Sequence, residues 1–430
     1  MRDIAVVMLL VGAVAAALRA PWYGVLGLAV FGYLNPHTYA WGFSTTLPVY
    51  QVLFIAVAVS FLINGKDRQP IPRDWRIPIF YLLWIWFVVT TLDAINPATA
   101  MPMLIKVSKI YLPLIFTLLL INTREKLFYL IIAIAASFGL IAVKGGIFAV
   151  GTGFSYHTLG PAGTHFGQNN EFAVATLMAI PLVILWRLET QNPTVKLALT
   201  GAIPLMFASA ISSQSRGAAV TLVALVPLLL WHSKRKYLAV PVLVVGLVAA
   251  AAVLPQQWFE RMDTIETYQE DKSAMGRIRA WTDGIAYAFE NPITGGGFDS
   301  WAWITEREWH SAYVEALAEH GFVGLFLWLS LLYGTIWSLT RLPRLTRHIP
   351  EMEWVSDYSY MLRASLVAYA VGSLFLGITY WDLMYHLVFI AVLVRKFALE
   401  ELAQREVHAV ARSGPKPWVA AGAMRPVSEP

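Results

Sequence analysis

The feature that most limits what this chain can fold into is its succession of apolar blocks. Runs of roughly 15 to 22 apolar residues recur along the 430 positions, joined by short polar stretches. A helix needs about 20 apolar residues to cross the hydrocarbon of a bilayer. The runs lack the in–out alternation that membrane barrel strands require. Only 14% of the residues are charged and 57% are hydrophobic, whereas a soluble chain carries about 25% charged residues and needs them to cover its surface. The pattern predicts an all-α, polytopic integral membrane protein. About 12 spans are expected, at 4–34 (interrupted at 19–24), 48–63, 77–93, 103–121, 127–143, 171–187, 197–213, 217–232, 237–254, 321–340, 360–378 and 383–397.

The absence of cysteine excludes disulfides, thiolate metal sites and cysteine-linked haem. The apolar run 1–18 is followed by Arg19 and Pro21 without a small-residue cleavage site, so no cleaved signal is expected. Basic joints fall on alternate sides: KDRQPIPRDWR (66–76), TREK (123–126), HSKRK (232–236), RLPRLTR (341–347) and the tail from Arg395. The positive-inside rule places them in the cytoplasm. Two segments then face outward, 144–170 and one large external loop, 255–320. In a double-membrane bacterium that side is the periplasm. The chain divides into amino-terminal helices (1–150), a core with the external loop (151–400) and a cytoplasmic tail (401–430) expected to be disordered, since it is rich in Pro, Gly and Ala and lacks periodicity beyond Ala411.

Cations recur at the outer boundary, although Arg or Lys at a helix centre costs about 2.5–3.5 kcal/mol on insertion scales. Arg216 stands in SSQSRGAA between two spans. Lys106 and Lys109 begin the fourth span about one turn apart. Arg277 and Arg279 lie in GRIRAWTDG within the large loop. Each alone could snorkel or cap. Together they suit a lipid-anchored anion such as a pyrophosphate, because the planar guanidinium grips phosphate oxygens bidentately and never deprotonates.

His310 precedes the helix expected at 321–340. The helix dipole disfavours a proton on it, while Glu315 pulls the other way, so the sequence leaves the direction of the shift open. Glu315 and Glu319 are four residues apart. Gly321 and Gly324 permit close approach of a second helix. Asn169 and Asn170, in HFGQNNEF, gather amides at an outer span end, and amides with tryptophans such as Trp281, Trp301, Trp303 and Trp309 suit a sugar. The turn PITGGGFDSW lacks the lysine and strand–helix frame of a nucleotide loop. No metal spacing is read, and no cofactor is expected.

Trp309-His310-Ser311, then nine residues, then Gly321-x-x-Gly324, resembles the signature of the O-antigen ligase family. GRIRAW…ENPITGGGF and SQSRGA resemble its other two motifs, in the same order, over roughly 165–340. NPHTYAWGF (35–43) resembles a branch described as exosortase-A-associated putative O-glycosylation ligases. The resemblance implies a glycosyltransferase that takes a preassembled glycan from a polyprenyl pyrophosphate carrier and joins it to a lipid A-core sugar or a protein Ser/Thr, with inversion and no metal. It implies Arg216 and Arg277 as pyrophosphate ligands, His310 as the base or an orienting group, and a substrate-side role for Glu319. Ser311 stands where Asn is commoner. Arg279, Lys106, Lys109, Asn169 and Asn170 remain binding candidates from position alone. Alternatives are a glycan polymerase of the same superfamily and a lipid-linked sugar flippase; the flippase would want ionisable residues at mid-span.

Overall fold

A computed structural model describes residues 1–65, 68–232, 237, 241, 254–256, 258–259 and 272–413. The described residues form helices and connecting turns, with no strand among them. They run as α1 (Arg2–Arg19), α2 (Pro21–Tyr33), α3 (Val49–Ile63), α4 (Arg76–Leu92), α5 (Pro97–Leu120), α6 (Arg124–Gly151), α7 (Asn169–Glu189), α8 (Pro193–Ser212), α9 (Arg216–His232), α10 (Lys272–Glu290), α11 (Ala312–Arg341), α12 (Glu353–Gly372) and α13 (Asp382–Ser413).

Helix starts follow side-chain chemistry. Asn96 Oδ1 accepts from Ala98 N to open α5, Thr123 Oγ1 from Lys126 N to open α6, and Asn192 Oδ1 from Thr194 N and Val195 N to open α8. Pro97 and Pro193 occupy the first helical position, where a missing N–H costs nothing. The interrupted first span is two helices: Ala20 is extended (φ −152°, ψ 120°) and Pro21 restarts the chain as α2.

Five helices among the described residues are long and apolar enough to cross a membrane: Pro97–Leu120, Arg124–Gly151, Asn169–Glu189, Pro193–Ser212 and Ala312–Thr346. Val49–Ile63, Arg76–Leu92 and Arg216–His232 are shorter apolar helices. The 12 expected spans are therefore not reproduced by length and apolarity. The carboxyl-terminal helices α12 and α13 carry internal charges, among them Asp357, Arg363, Arg395 and Glu401. The span expected at 237–254 lies almost wholly outside the described residues, as does 260–271 of the external loop. The tail needs correction. Helix α13 continues through Ser413, and Arg405 is held by Glu401, one turn back, and by Glu351, so the tail's first part is helical. Residues 414–430 lie outside the described residues.

Helix α7 is apolar on nearly every side and is buried from Phe172 to Val183. Such a helix belongs at a centre, and α6, α8, α9 and α12 surround it. Helix α11 packs against α4, α10, α12 and α13. One end of the bundle gathers ion pairs from the described parts of the basic joints. There Asp74 takes a two-point grip from Arg76 (2.7 and 2.8 Å) and a third contact from Arg395 (3.3 Å). Arg124 meets Glu189, and His232 meets Asp357. The opposite end carries the 144–170 and 291–311 connections and the first turns of α5, α7, α9 and α11.

Candidate functional site

The site end is organised by a break in α11. Gly321 has φ +66° inside that helix, and a Cβ there would stand 2.2 Å from the carbonyl oxygen of Ile293. The backbone of the NPITGGG turn fills the space. Gly296 N donates to Ala318 O (2.9 Å), Gly297 N to Glu319 O (2.8 Å) and Phe322 N to Pro292 O (2.9 Å). Two motifs far apart in sequence are thus one structural joint. The neighbour that Gly321 admits is a turn; helix α4 comes in at Gly324, where Trp86 donates its indole N–H to His320 O (2.9 Å). The amides of Gly296 and Gly297 are occupied by protein carbonyls.

Glu319 sits just before the break and is buried. Its Oε1 accepts from Asp299 N and from Trp309 Nε1, both at 3.1 Å, and its Oε2 accepts from the Tyr380 hydroxyl. Both oxygens therefore hold protein, tying together the segments at Asp299, Trp309 and Tyr380. Trp309 is likewise core: its ring packs on Gly284 of α10, and its carbonyl accepts from Trp281 Nε1 (2.8 Å). Trp303 stays exposed.

Those ties fix the residue that follows. His310 is half-buried, with φ +45°, a left-handed backbone uncommon outside glycine. Burial, with Arg277 and Arg307 adding to it, lowers its pKa below the ordinary imidazole value. The direction that the sequence left open is thus toward the neutral form. Arg277 reaches Glu171 as well as His310 electrostatically. Arg279, two residues on, lies elsewhere on α10 and is exposed, because residues i and i+2 of a helix do not share a face.

Ser215 caps α9 by accepting from Ala218 N (3.2 Å), which puts Arg216 at the helix's first position, and Gly217 lies against Phe375. Asn169 uses its amide to hold that turn, donating to Ser213 O (2.8 Å). Asn170 is half-buried at the start of α7.

Beneath these loops is a cavity of about 180 Å³ whose walls include Lys106, His165, Glu171, Glu315, Tyr380 and Trp381. Lys106 joins it from α5, whereas Lys109 does not line it. The ring of His165 keeps an exposed edge, yet enclosure, and then the Lys106 ammonium, push its pKa down. Glu315 Oε2 accepts from Thr379 N (3.0 Å).

Sequence reasoning passed over His165, Glu171 and Glu315 as site residues, although all three stand in or beside the stretches it singled out. It also gave no role to His320. That buried imidazole bonds Thr90 Oγ1 through Nδ1 and the Tyr380 hydroxyl through Nε2, each at 2.7 Å. No local pattern marks it, because its partners are 230 and 60 residues away.

Two family models match the chain. Residues 201–329 match the family model described as O-Antigen ligase, and residues 1–191 match a family of unknown function (DUF5935). No curated protein matches the chain. The first match covers Arg216, Arg277, His310 and Glu319 and indicates a membrane enzyme of the glycan ligase or polymerase type. The cavity draws Lys106, His165 and Glu171 from the second segment, Glu315 from the first, and Tyr380 from neither.

Proposed function

We propose that the protein transfers a preassembled glycan from a polyprenyl pyrophosphate carrier to an acceptor hydroxyl at the outer face of a bacterial inner membrane. The observation that carries this reading is the match of residues 201–329, which include Arg216, Arg277 and the half-buried, left-handed His310, to the O-antigen ligase family. The carrier's lipid tail stays in the bilayer and its pyrophosphate faces Arg216 and Arg277. Arg216 occupies a helix N-terminus, where a cation opposes the helix dipole and an anion is welcome. His310, held neutral, takes the proton of the acceptor hydroxyl. The acceptor oxygen bonds to the anomeric carbon from the face opposite the leaving group, the carbon–oxygen bond to phosphate breaks, and the electron pair leaves with the pyrophosphate. Two guanidinium groups stabilise that growing charge, the task a metal ion performs elsewhere.

The resemblance of 35–43 to the exosortase-A-associated branch favours a protein Ser/Thr acceptor over a lipid A-core sugar. The test is transfer of a radiolabelled glycan from its polyprenyl pyrophosphate by purified protein in liposomes, wild type beside His310→Ala, with acceptors offered singly. Labelling of one acceptor, lost in the variant, is the expected result. Elongation of the donor glycan instead establishes a polymerase, and movement of the donor across the bilayer without transfer establishes a flippase.

A further inference from the structure

The cavity beneath the site loops contains chemistry that the pyrophosphate and the base do not use. Glu171 lines it from the first turn of α7, and Glu171 Oε2 is out of solvent with no hydrogen-bond partner among the described residues. A buried acceptor left unmade costs about 1–3 kcal/mol and calls for an explanation. Glu315 lines the same space from α11. Its Oε2 is engaged by Thr379 N, and its Oε1 stands beside Gly377, where the lack of a side chain keeps the carboxylate accessible from the cavity. Tyr380, Trp381, Lys106 and His165 line the same space. A cavity of about 150 Å³ accommodates a six-membered ring, and this one is about 180 Å³.

We infer that this cavity is a subsite for a single pyranose ring, with Glu171 and Glu315 accepting hydrogen bonds from its hydroxyls. Carboxylates are acceptor-only when ionised and bind two vicinal hydroxyls readily. The aromatic residues offer apolar faces to the ring's C–H groups. Lys106 offsets one of the two negative charges, and the remaining negative charge fits a neutral, hydroxyl-rich ring better than an anion. The inference rests on the proposed glycan chemistry, and it shares the selection of the sugar between α7, outside the O-antigen ligase match, and α11, inside it.

The test reads binding, not transfer. Saturation-transfer difference NMR on the full chain in nanodiscs is recorded with methyl glycosides of glucose, galactose, mannose and N-acetylglucosamine, and with their monodeoxy analogues. At least one glycoside should bind the wild type, and Glu171→Leu or Glu315→Leu should weaken it by about tenfold or more. Glu171→Gln and Glu315→Gln, which keep the shape and exchange one acceptor for a donor, should weaken it less and serve if the leucine variants do not insert. A monodeoxy analogue that loses affinity for wild type but not for one variant identifies which hydroxyl meets which carboxylate. Absence of binding by every glycoside, or binding indifferent to both carboxylates, overturns the inference even where transfer succeeds. Binding as expected with no transfer from any donor sinks the enzymatic reading instead. Donor and acceptor sugars are separated by whether unlabelled polyprenyl-pyrophosphate glycan displaces the bound glycoside.

Discussion

His320 Nε2 lies 2.7 Å from the hydroxyl of Tyr380, 60 residues further along the chain. Tyr380 in turn donates to Glu319, so its oxygen must accept from His320, and His320 Nδ1 must then accept from Thr90. The imidazole is thereby assigned the neutral Nε2–H form, and the four groups make one directed chain from Thr90 of α4 through His320 and Tyr380 to Glu319 of α11. Tyr380→Phe leaves Glu319 and His320 each one partner short in a buried place. The variant should lose roughly 1–3 kcal/mol per orphaned group. Thermal unfolding in detergent, followed by near-ultraviolet circular dichroism, checks it; an unchanged midpoint would mean the chain of bonds contributes nothing.

Gly321→Ala should be among the most disruptive single-methyl changes in the protein. The φ of +66° opposes any side chain, and the new Cβ would meet Ile293 O at 2.2 Å. The loss should exceed about 1 kcal/mol. Gly12→Ala is the control: nothing lies within 4 Å of its Cβ position, so helix propensity should stabilise α1 by roughly 0.5–1 kcal/mol. Comparing the melting midpoints of the two variants decides the matter.

Arg277→Ala and Arg216→Ala should cut glycan transfer by roughly 10²–10³-fold, the range for losing one donor that stabilises developing negative charge. Lysine at either position restores charge without the bidentate fork and should recover only part of the rate. Arg279→Ala should leave transfer near wild type, because Arg279 is exposed. Initial rates at saturating donor give the ranking, and equal losses at 277 and 279 would refute the assignment.

The pH profile follows from the lowered pKa of His310. A base works only when unprotonated, so activity is present above its folded-state pKa and lost as pH falls through it. That pKa is below the ordinary imidazole value of about 6.5. The acid limb of transfer should therefore lie below about pH 6.5, leaving the rate flat through neutrality. Removing the nearby cation with Arg307→Ala relieves one of the lowering causes and should move the limb toward higher pH. A limb that stays in place, or moves the other way, would separate His310 from the titration.

Chelation offers a further check. Transfer in excess EDTA should match the untreated rate, since two arginines fill the charge-stabilising role in the proposed step. Strong inhibition, reversed by a divalent cation, would assign that role to a metal.

The residues of the proposed site were each singled out along the chain. Arg216 was marked by its place between two spans, Arg277 and His310 by theirs in the large external loop, and Gly321 by its spacing. The meaning of Gly321 was not visible. Its glycine signalled close packing, but only the folded chain shows a turn from 292–297 filling a break in the helix. Asn169 likewise read as a sugar contact and proves to hold the Ser213 carbonyl.

By itself the sequence determined the helical class and the basic joints, because apolar runs and charge act over a few neighbouring residues. Tertiary structure decided the left-handed seat of His310, the Thr90–His320–Tyr380–Glu319 chain and the cavity between Glu171 and Glu315. Those depend on which helix ends meet, and that is settled by packing among residues tens to hundreds of positions apart.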